Sequence, residues 1–321
     1  MSILKELTEH LDISFGDLAI NMVNAPVTYK VFKIPKRTGG KRTIEQPTQF
    51  VKGVQRGIVA VLLEQFETLD STMAYVKGRS IVDNANAHVG GKFILKMDFE
   101  NFFPSIKPID LSNFLNKQNI EIPKHELKFL VNYLFRKSDT GLHLSIGAPS
   151  SPMISNLVMY EIDTVIQTYC DSLSITYTRY ADDLTFSSPS YDVLSELSKW
   201  IKDLVARIAS PSLKVNERKT KIIGVGKSRR VTGVILTNDG RISVGRHSRK
   251  KIRAMVYQYQ NDVLDKNDIP YLHGFISHLR HIEPDHFKKL VNTFGEDIFV
   301  KLAKQSFFIS KMSKAKQIKN N

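Results

Sequence analysis

The amino-acid sequence predicts an α+β fold in which short strands present acidic residues and helices form most of the remainder. Two β-prone segments, 175–178 and 184–187, flank Tyr180-Ala181-Asp182-Asp183 and leave almost no room for a connection. This pattern predicts a hairpin with two carboxylates at its tip. An apolar run over 93–97 predicts a buried strand that ends at Asp98. Apolar residues at helical spacing over 51–69 predict a helix with one buried face.

The rest of the chain adds a hairpin and further helices to this outline. Residues 1–25 are expected to form a helical lead-in. Residues 29–45 alternate around Gly39-Gly40, which is typical of a basic hairpin with a flexible tip. We expect an inserted helical stretch over 109–136 and a helical part from about residue 236. No internal repeat or low-complexity block interrupts this order.

Composition excludes several classes of protein. The chain has 321 residues, of which 42% are hydrophobic, and its net charge of +14 with a pI near 9.6 favours a polyanionic partner. The single cysteine, Cys170, rules out an internal disulfide framework. The N-terminus lacks the apolar core of a signal peptide, and no apolar run has the length of a membrane span. We therefore expect a cytoplasmic protein that binds nucleic acid and has no membrane partner.

The three acidic residues are the strongest chemical signal in the chain. Adjacent carboxylates raise each other's pKa unless a cation lies beside them, and oxygen ligands of this kind suit Mg²⁺. Each acid also has an ordinary explanation, since Asp182-Asp183 alone is typical of a solvated turn and Asp98 alone of a helix N-cap. Taken together, three carboxylates on neighbouring strands favour two Mg²⁺ ions that clamp the oxygens of a phosphoryl transfer.

An ordered series of motifs resembles that of reverse transcriptases. The series consists of Asp98–Ile106, Gly147–Asn156, Tyr180–Asp183 and Leu213–Lys221, and it lies within a resemblance from about residue 30 to residue 233. Two further signatures narrow the resemblance. Asn84-Ala-Asn-Ala-His88 matches the NAxxH element of bacterial retron reverse transcriptases, and Val231-Thr232-Gly233 matches their VTG element. The chain is identified by these motifs as a member of the retron reverse transcriptases.

The resemblance implies a right-hand polymerase with fingers, a palm of antiparallel sheet plus helices, and a helical thumb. Residues 1–92 would form the N-terminal lead-in and the fingers. Residues 93–235 would form the palm, with a fingers insertion over about 108–145, and 236–321 a helical thumb that binds RNA. The same resemblance implies two Mg²⁺ ions per active site, with Mn²⁺ able to substitute.

The resemblance assigns catalytic and nucleotide-binding roles to particular residues. Asp98, Asp182 and Asp183 would be catalytic and would bind both metal ions. Lys41 and Arg42 match the fingers motif that folds over the incoming nucleotide, where Arg42 would pair bidentately with triphosphate oxygens. The other basic side chains of that hairpin, Arg37 among them, fit a solvated strand edge equally well.

Two further positions would shape the nucleotide pocket. Phe103 would pack against the sugar and exclude a 2′-hydroxyl, and the neighbouring Phe102 would be core. Gly147 would contact the nucleotide and the template through its backbone. The chain departs from the family at Ile146, where a glutamine is usual, so any hydrogen bond from that side chain is absent and nucleotide handling is expected to differ.

Downstream motifs suggest a proton donor and contacts with RNA. Lys219 is the candidate general acid that protonates pyrophosphate, with Lys214 and Lys221 as alternatives. Val231, Thr232 and Gly233 would lie beside the primer end, with Arg229 and Arg230 on phosphates. Arg179, just before the acidic tip, is expected to neutralise neighbouring acids rather than contact nucleic acid.

The remaining assignments concern RNA binding. Asn84 and His88 would share one helical face, either contacting the cognate RNA or bracing the fold. Residues 246–321 hold 15 Lys and Arg against 7 Asp and Glu, so about +8 of the net charge lies there. Arg249, Lys250 and Lys251 belong to the densest basic cluster, and the aromatic residues that follow it are more often core. This excess charge favours a thumb that holds RNA by its shape and phosphates.

The implied reaction is reverse transcription of a structured non-coding RNA, the msr-msd RNA, encoded beside the gene. Synthesis from dNTPs would start at a guanosine 2′-hydroxyl and leave a branched RNA–DNA hybrid, called msDNA. The resemblance also implies an associated effector protein and a role in anti-phage defence. Two alternatives stay open: a group II intron or diversity-generating reverse transcriptase, and an RNA-binding scaffold for an effector.

Overall fold

The computed structural model describes residues 2–36 and 39–319, and for 313–319 it describes the backbone only. Arg37 of the basic hairpin lies outside the described residues. The chain divides into two compact units. The first comprises Met1–Arg79 with Gly91–Gly224, and the second comprises Ser80–Gly90 with Val225–Asn321.

Helices and short strands follow one another along the described chain. The helices are α1 (Ile3–Leu11), α2 (Phe15–Met22), α3 (Gln49–Ile58), α4 (Ile81–Asn86), α5 (Phe102–Ser105), α6 (Pro108–Lys117), α7 (Lys124–Leu134), α8 (Ser151–Ser172), α9 (Tyr191–Arg207), α10 (Arg246–Gln260), α11 (Ile269–Ile282), α12 (Pro284–Phe294) and α13 (Glu296–Lys319). The strands are β1 (Tyr29–Pro35), β2 (Lys41–Pro47), β3 (Phe93–Asp98), β4 (Arg136–Ser138), β5 (Gly141–His143), β6 (Thr176–Tyr180), β7 (Asp183–Ser188), β8 (Lys221–Gly224), β9 (Arg229–Val231), β10 (Val234–Leu236) and β11 (Ile242–Ser243).

The first unit is built around a four-stranded antiparallel sheet in the order β6-β7-β3-β8. Helices α8 and α9 pack against it. Core residues of its central strands, such as Leu95 and Phe186, are fully buried. Burying one such side chain stabilises the fold by about 1.5–3 kcal/mol. The sheet contains the predicted buried strand and the predicted acidic hairpin, so the α+β prediction is confirmed in this unit.

The N-terminal elements of this unit also follow the sequence pattern, with one exception. Strands β1 and β2 pair in register from Tyr29 with Pro47 to Pro35 with Lys41. The predicted helix over 51–69 begins as α3 but becomes a π-helical turn over Val59–Leu63 and ends there. In this wider turn the Glu64 N–H donates to the Val59 carbonyl, and the helix ends before residue 69. Phe66, beyond the helix, nevertheless packs edge-on against Phe114.

A buried ion pair joins the acidic hairpin to α8. The guanidinium of Arg179 on β6 bonds both carboxylate oxygens of Asp163, with Nη2 at 2.6 Å from Oδ2. The Tyr177 hydroxyl donates to the same carboxylate at 2.7 Å. Both charged side chains are essentially without exposed surface. Arg179 therefore neutralises a neighbouring acid, as predicted, although that acid is Asp163 and not a member of the hairpin tip.

The second unit combines a small sheet with the C-terminal helices. Strands β11, β10 and β9 form an antiparallel sheet, and α4 packs against it although more than 140 residues separate α4 from β9 in the chain. Residues 80–90 therefore belong to the unit of the C-terminal elements. The predicted helical part begins at Arg246 instead of about 236, because residues 234–243 pair as strands.

The predicted division into fingers, palm and thumb does not coincide with these two units. The first unit ends at Gly224, whereas the palm was expected to reach residue 235.

Within the described residues, no helix is both long enough and apolar enough to cross a membrane.

The ion pair inside the first unit yields a stability prediction. Asp163→Asn leaves the Arg179 guanidinium buried without its counter-charge, so we expect the free energy of unfolding to fall by about 3–5 kcal/mol. Urea unfolding of both proteins would measure this. The matched control is Glu161→Gln on the same helix, which removes an exposed pair with Lys117 and should cost less than about 1 kcal/mol. Equal losses in the two variants would contradict the argument.

Candidate active site

Strand register brings the predicted acids to one end of the sheet. Asp98 is the last residue of β3 and lies opposite Asp183, the first residue of β7. The Phe99 N–H donates to the Asp182 carbonyl at 3.1 Å, and the Asn216 N–H donates to the Asp98 carbonyl at 2.7 Å. Backbone hydrogen bonds thus fix the hairpin tip beside the end of β3.

The turn that carries Asp182 has an unusual backbone. Ala181 has φ +57°, in the left-handed region that most residues avoid at a cost of about 1–3 kcal/mol. Arg179 compensates by donating from Nη1 to the Ala181 carbonyl at 3.1 Å. The buried ion pair therefore also holds the backbone of the acidic turn.

Lys219 is directly bonded to one of the acids. Its Nζ bonds both carboxylate oxygens of Asp98 at 2.7 and 2.8 Å. Of the alternatives, Lys214 pairs instead with Glu100 at 3.1 Å, and Lys221 is an exposed residue of β8. Burial lowers the pKa of Lys219, but the hydrogen bond and charge of Asp98, with the charges of Asp182 and Asp183, raise it above its usual value. The ammonium group therefore carries a proton that it could donate.

The two acids of the turn have raised pKa values. Burial, followed by the charges of Asp183 and Asp98, raises the pKa of Asp182 from 3.8 to about 6. Burial is also the main reason why the pKa of Asp183 is raised, and the nearby Lys96 opposes it. Burial and the neighbouring negative charges together account for both shifts.

The acids are neighbours but are not arranged as metal ligands. Among the described residues, no three Asp, Glu, His or Cys side chains form a group that could hold a metal ion as they are placed. Both oxygens of Asp98 bond to Lys219. The donor chemistry nevertheless fits divalent cations, because the acids supply oxygen ligands and lie close enough to raise each other's pKa, a repulsion that a cation would offset.

A cavity of about 350 Å³ in the same unit contains two of the predicted nucleotide-binding residues. Phe103 and Gly147 line it, whereas Phe102 is buried and stacks on Phe99 with ring centroids 5.8 Å apart. This arrangement agrees with the prediction that Phe102 is core. Ile146 also lines the cavity, so an apolar side chain occupies the position where a glutamine is usual.

Gly147 has a backbone conformation and surroundings that disfavour any side chain. Its φ is +129°, and a Cβ there would lie 3.0 Å from the Glu45 carbonyl oxygen. The Glu45 N–H donates to the Ile146 carbonyl at 2.8 Å, and Arg136 pairs with the Glu45 carboxylate at 2.6 Å. The glycine thus permits the hairpin of β1 and β2 to dock on this loop.

Tyr75 is a cavity residue that sequence reasoning missed. Its ring lies 6.5 Å from that of Phe103, and its φ of +63° is rare for an aromatic residue. Burial raises the pKa of Tyr75, the charge of Asp182 raises it further, and Arg42 lowers it. Tyr75 therefore lies within electrostatic reach of both groups. No periodicity or motif in the sequence singles this residue out.

The predicted fingers cations are exposed at the start of β2. The charge of Arg42 lowers the pKa of Tyr75 in the cavity, whereas Lys41 lies opposite Pro35 in the hairpin register. The structure thus brings together the three acids, Lys219, Phe103 and Gly147 in one unit, with Arg42 nearby.

Several predicted RNA-binding residues need correction. Asn84, His88 and Val231 are fully buried, so their side chains have no surface to offer RNA, and bracing is the alternative that fits. Arg229 is also buried and donates to the Thr237 carbonyl at 3.0 Å, whereas Arg230 is exposed. Burial of the His88 imidazole lowers its pKa to about 3, which keeps it neutral.

The other predicted RNA-binding residues reach the surface of the second unit. Thr232 and Gly233 form the turn between β9 and β10, and Gly233 is exposed. Lys250 and Lys251 are exposed on α10, and Lys251 lies 4.8 Å above the Tyr271 ring. Arg249 is half-buried and pairs with Glu283 at 3.5 Å. Tyr271, one of the aromatic residues that follow the basic cluster, is 51% exposed and is therefore not a core residue.

Comparison with known proteins agrees with this fold. The family "Reverse transcriptase (RNA-dependent DNA polymerase)" matches residues 34–236. The structure of apo telomerase from Candida tropicalis aligns with a TM-score of 0.52 at 13% identity, covering 86% of this chain and 58% of that one. The fold is therefore that of the right-hand polymerases, and the protein is an RNA-directed DNA polymerase.

Two curated relatives narrow the class. Retron Ec83 reverse transcriptase from Escherichia coli is 37% identical over 95% of this chain and 99% of its own length. Retron Ec73 reverse transcriptase from the same species is 31% identical over 87% of this chain and 91% of its own. The chain belongs to the retron reverse transcriptase family. Reverse transcriptases generally use divalent metal ions.

The raised pKa of Asp182 predicts a stabilising substitution. Because the folded pKa of about 6 exceeds the unfolded 3.8, this carboxyl favours folding below pH 4 and loses that contribution as the pH rises through 6. Asp182→Asn should therefore raise the stability of the metal-free protein at pH 8 by about 1–3 kcal/mol, since one pKa unit corresponds to about 1.4 kcal/mol.

Urea unfolding in a chelating buffer at pH 8 and near pH 4 would test this expectation. The gain should be present at the higher pH and absent at the lower. Asp203→Asn, at an exposed aspartate of α9, is the control and should show no gain at either pH. A loss of stability in Asp182→Asn at pH 8 would contradict the assignment.

Proposed function

We propose that this reverse transcriptase copies part of a cognate msr-msd RNA into msDNA, starting from a guanosine 2′-hydroxyl. The observation that carries the proposal is the register of Asp98 opposite Asp183, with Asp182 and Lys219 beside them. Such a group of acids and one cation at a sheet end suits phosphoryl transfer. The family membership supports the choice of RNA template and self-priming.

In this proposal the three acids bind two Mg²⁺ ions, for which Mn²⁺ can substitute. The bound ions would activate the priming hydroxyl and stabilise the leaving pyrophosphate. For the acids to bind metal, Asp98 must exchange its bonds with Lys219 for metal bonds. Lys219, which keeps its proton because of the neighbouring acids, is then available to protonate pyrophosphate.

The incoming dNTP is proposed to bind between the fingers hairpin and the cavity. Arg42 pairs bidentately with triphosphate oxygens, and Lys41 supplies a second positive charge. The exposed backbone of Gly147 approaches the nucleotide, and the ring of Phe103 leaves no room for a 2′-hydroxyl. Ile146 offers the nucleotide an apolar contact only.

For RNA binding, we propose the exposed turn at Thr232-Gly233 and the basic face of α10. Lys250 and Lys251 would contact phosphates there, together with Arg249 where it is not engaged by Glu283. Asn84 and His88 are buried and would contribute indirectly, by bracing the segment whose helix α4 packs against the sheet that carries the turn. We also propose that an effector protein acts with the enzyme in anti-phage defence.

The first test is to express the protein with its flanking non-coding region and to separate total nucleic acid on a denaturing gel, before and after ribonuclease. We expect a short DNA whose mobility changes after ribonuclease, because a branched RNA is removed from it. Asp182→Asn should abolish that DNA and leave the RNA bound to the purified protein.

The other outcomes of this test are distinct. Synthesis at the wild-type level in Asp182→Asn would refute the metal assignment. RNA that co-purifies without any DNA product, in wild type and variant alike, would refute msDNA synthesis and support a scaffold for an effector.

The proposed role of Phe103 predicts a change of sugar selectivity. Phe103→Ala opens space beside the sugar, so ribonucleotide incorporation relative to deoxyribonucleotide incorporation should rise by about tenfold or more. Steady-state kinetics with dGTP and GTP would measure the ratio. Phe102→Leu is the control. Because this ring is buried, its replacement should lower the stability of the protein without altering sugar selectivity. An unchanged ratio in Phe103→Ala would show that another residue excludes the 2′-hydroxyl.

A further inference from the structure

Among its described residues, the hairpin of β1 and β2 is buried only at its base. Tyr29 is half-buried, and the other residues of β1 are exposed. In β2 the residues 41–43 are exposed, 44–46 are half-buried and Pro47 is buried. A two-stranded hairpin has little stability of its own. Its position is therefore set by the contacts made near residue 29 and residues 44–47.

Glu45 makes two of these contacts. Its N–H donates to the Ile146 carbonyl at 2.8 Å, and its carboxylate accepts from Nη1 of Arg136 at 2.6 Å. The side chains of Glu45 and Arg136 are 12% and 18% exposed, so water screens the pair only partly. Such a charge-assisted bond is stronger than a pair on the surface. Glu45 thus joins the hairpin both to the loop that precedes α8 and to the start of β4.

A second contact at the base of the hairpin ends at the same place. The Tyr29 hydroxyl accepts from the side-chain amide of Gln55 at 3.1 Å, and that amide also donates to the Tyr133 carbonyl at 2.7 Å. Gln55 is fully buried on α3. Because Tyr133 precedes Arg136 by three residues, both strands of the hairpin are tied to the segment where α7 ends and β4 begins.

These contacts are not the arrangement that stability alone would favour. Oε2 of Glu45 and Oε1 of Gln55 are buried and have no hydrogen-bond partner in the part of the chain that the structure describes. Unpaired buried acceptors are unfavourable, and apolar residues can often replace a buried ion pair without loss of stability. Polar groups at this base fix one orientation of the hairpin, because hydrogen bonds are directional and apolar contacts are not.

We propose that Glu45 and Arg136 are positioning residues for the incoming dNTP. Glu45 lies three residues after Arg42 on β2, which is about 10 Å along an extended strand. Its N–H is bonded to Ile146, which lines the cavity next to Gly147. The pair therefore sets the distance between the strand that carries Arg42 and the loop that carries Gly147, without itself contacting the nucleotide. This inference rests on the proposed function in one respect, namely that Arg42 and Gly147 contact the nucleotide.

The test is extension of a DNA primer on an RNA template by the full-length protein, with the dNTP concentration varied. Glu45→Gln and Arg136→Gln each release the base of the hairpin. Binding of the nucleotide then has to restore the position of the hairpin, so the KM for dNTP should rise by about tenfold. The kcat at saturating dNTP and the Kd for the primer–template should stay within about twofold of wild type. The double variant should raise the KM no further than either single variant, because the two residues act as a pair.

Two further variants separate positioning from folding. Arg136→Lys keeps a positive charge on a flexible side chain that can reach Glu45, so the KM for dNTP should remain within about threefold of wild type. Glu126→Gln is the matched control, because Glu126 is a buried carboxylate of the same unit that bonds Ser2 and Ile3 instead of the hairpin. This control should lower the melting temperature and leave the KM for dNTP unchanged.

A wild-type KM for dNTP in both Glu45→Gln and Arg136→Gln would overturn the inference. So would a rise in KM in Glu126→Gln that matches its loss of stability, since the KM would then follow folding and not the position of the hairpin. Arg42→Gln in the same assay tests the proposed function separately. A wild-type KM in that variant would refute the nucleotide role of Arg42, whatever the result for the pair.

Discussion

The buried pair of Arg179 and Asp163 is the interaction on which the candidate active site depends. A guanidinium without access to water is tolerated only when its charge and its N–H groups are satisfied, and Asp163, Asn156 and the Ala181 carbonyl satisfy them here. The same contacts tie β6 to α8 and hold the left-handed backbone of Ala181. The turn that carries Asp182 is thus positioned by the buried Arg179–Asp163 pair beneath it, and not by the conformational preference of its own residues.

The site above this pair shows a conflict between stability and function. Three carboxylates lie at one sheet end. Burial and the charges of Asp183 and Asp98 raise the pKa of Asp182, although Lys219 opposes the shift. A sheet evolved only for stability would not place these charges together. The repulsion between the carboxylates fits a site that binds cations, because a divalent metal ion would offset the negative charge that opposes folding.

The two signatures that are specific to retron enzymes occur in one compact unit, together with the C-terminal helices. α4, which carries Asn84, packs against the sheet whose β9–β10 turn contains Thr232 and Gly233. The Thr232 hydroxyl donates to the Ile81 carbonyl at 3.4 Å, a direct bond between the two segments. The motifs are therefore better understood as parts of one structural unit, in which buried residues support an exposed turn, than as separate RNA contacts.

Local periodicity and residue type were enough to predict the hairpin of the acidic turn, the buried strand before Asp98, the apolar face of α3 and the three acids. The pairing of Lys219 rather than Lys214 with Asp98, the cavity position of Tyr75, and the burial of Asn84, His88 and Val231 were decided by tertiary structure. Each of these depends on contacts between segments far apart in the chain. A basic or polar residue has the same local pattern whether its side chain is exposed or buried, and only packing distinguishes the two.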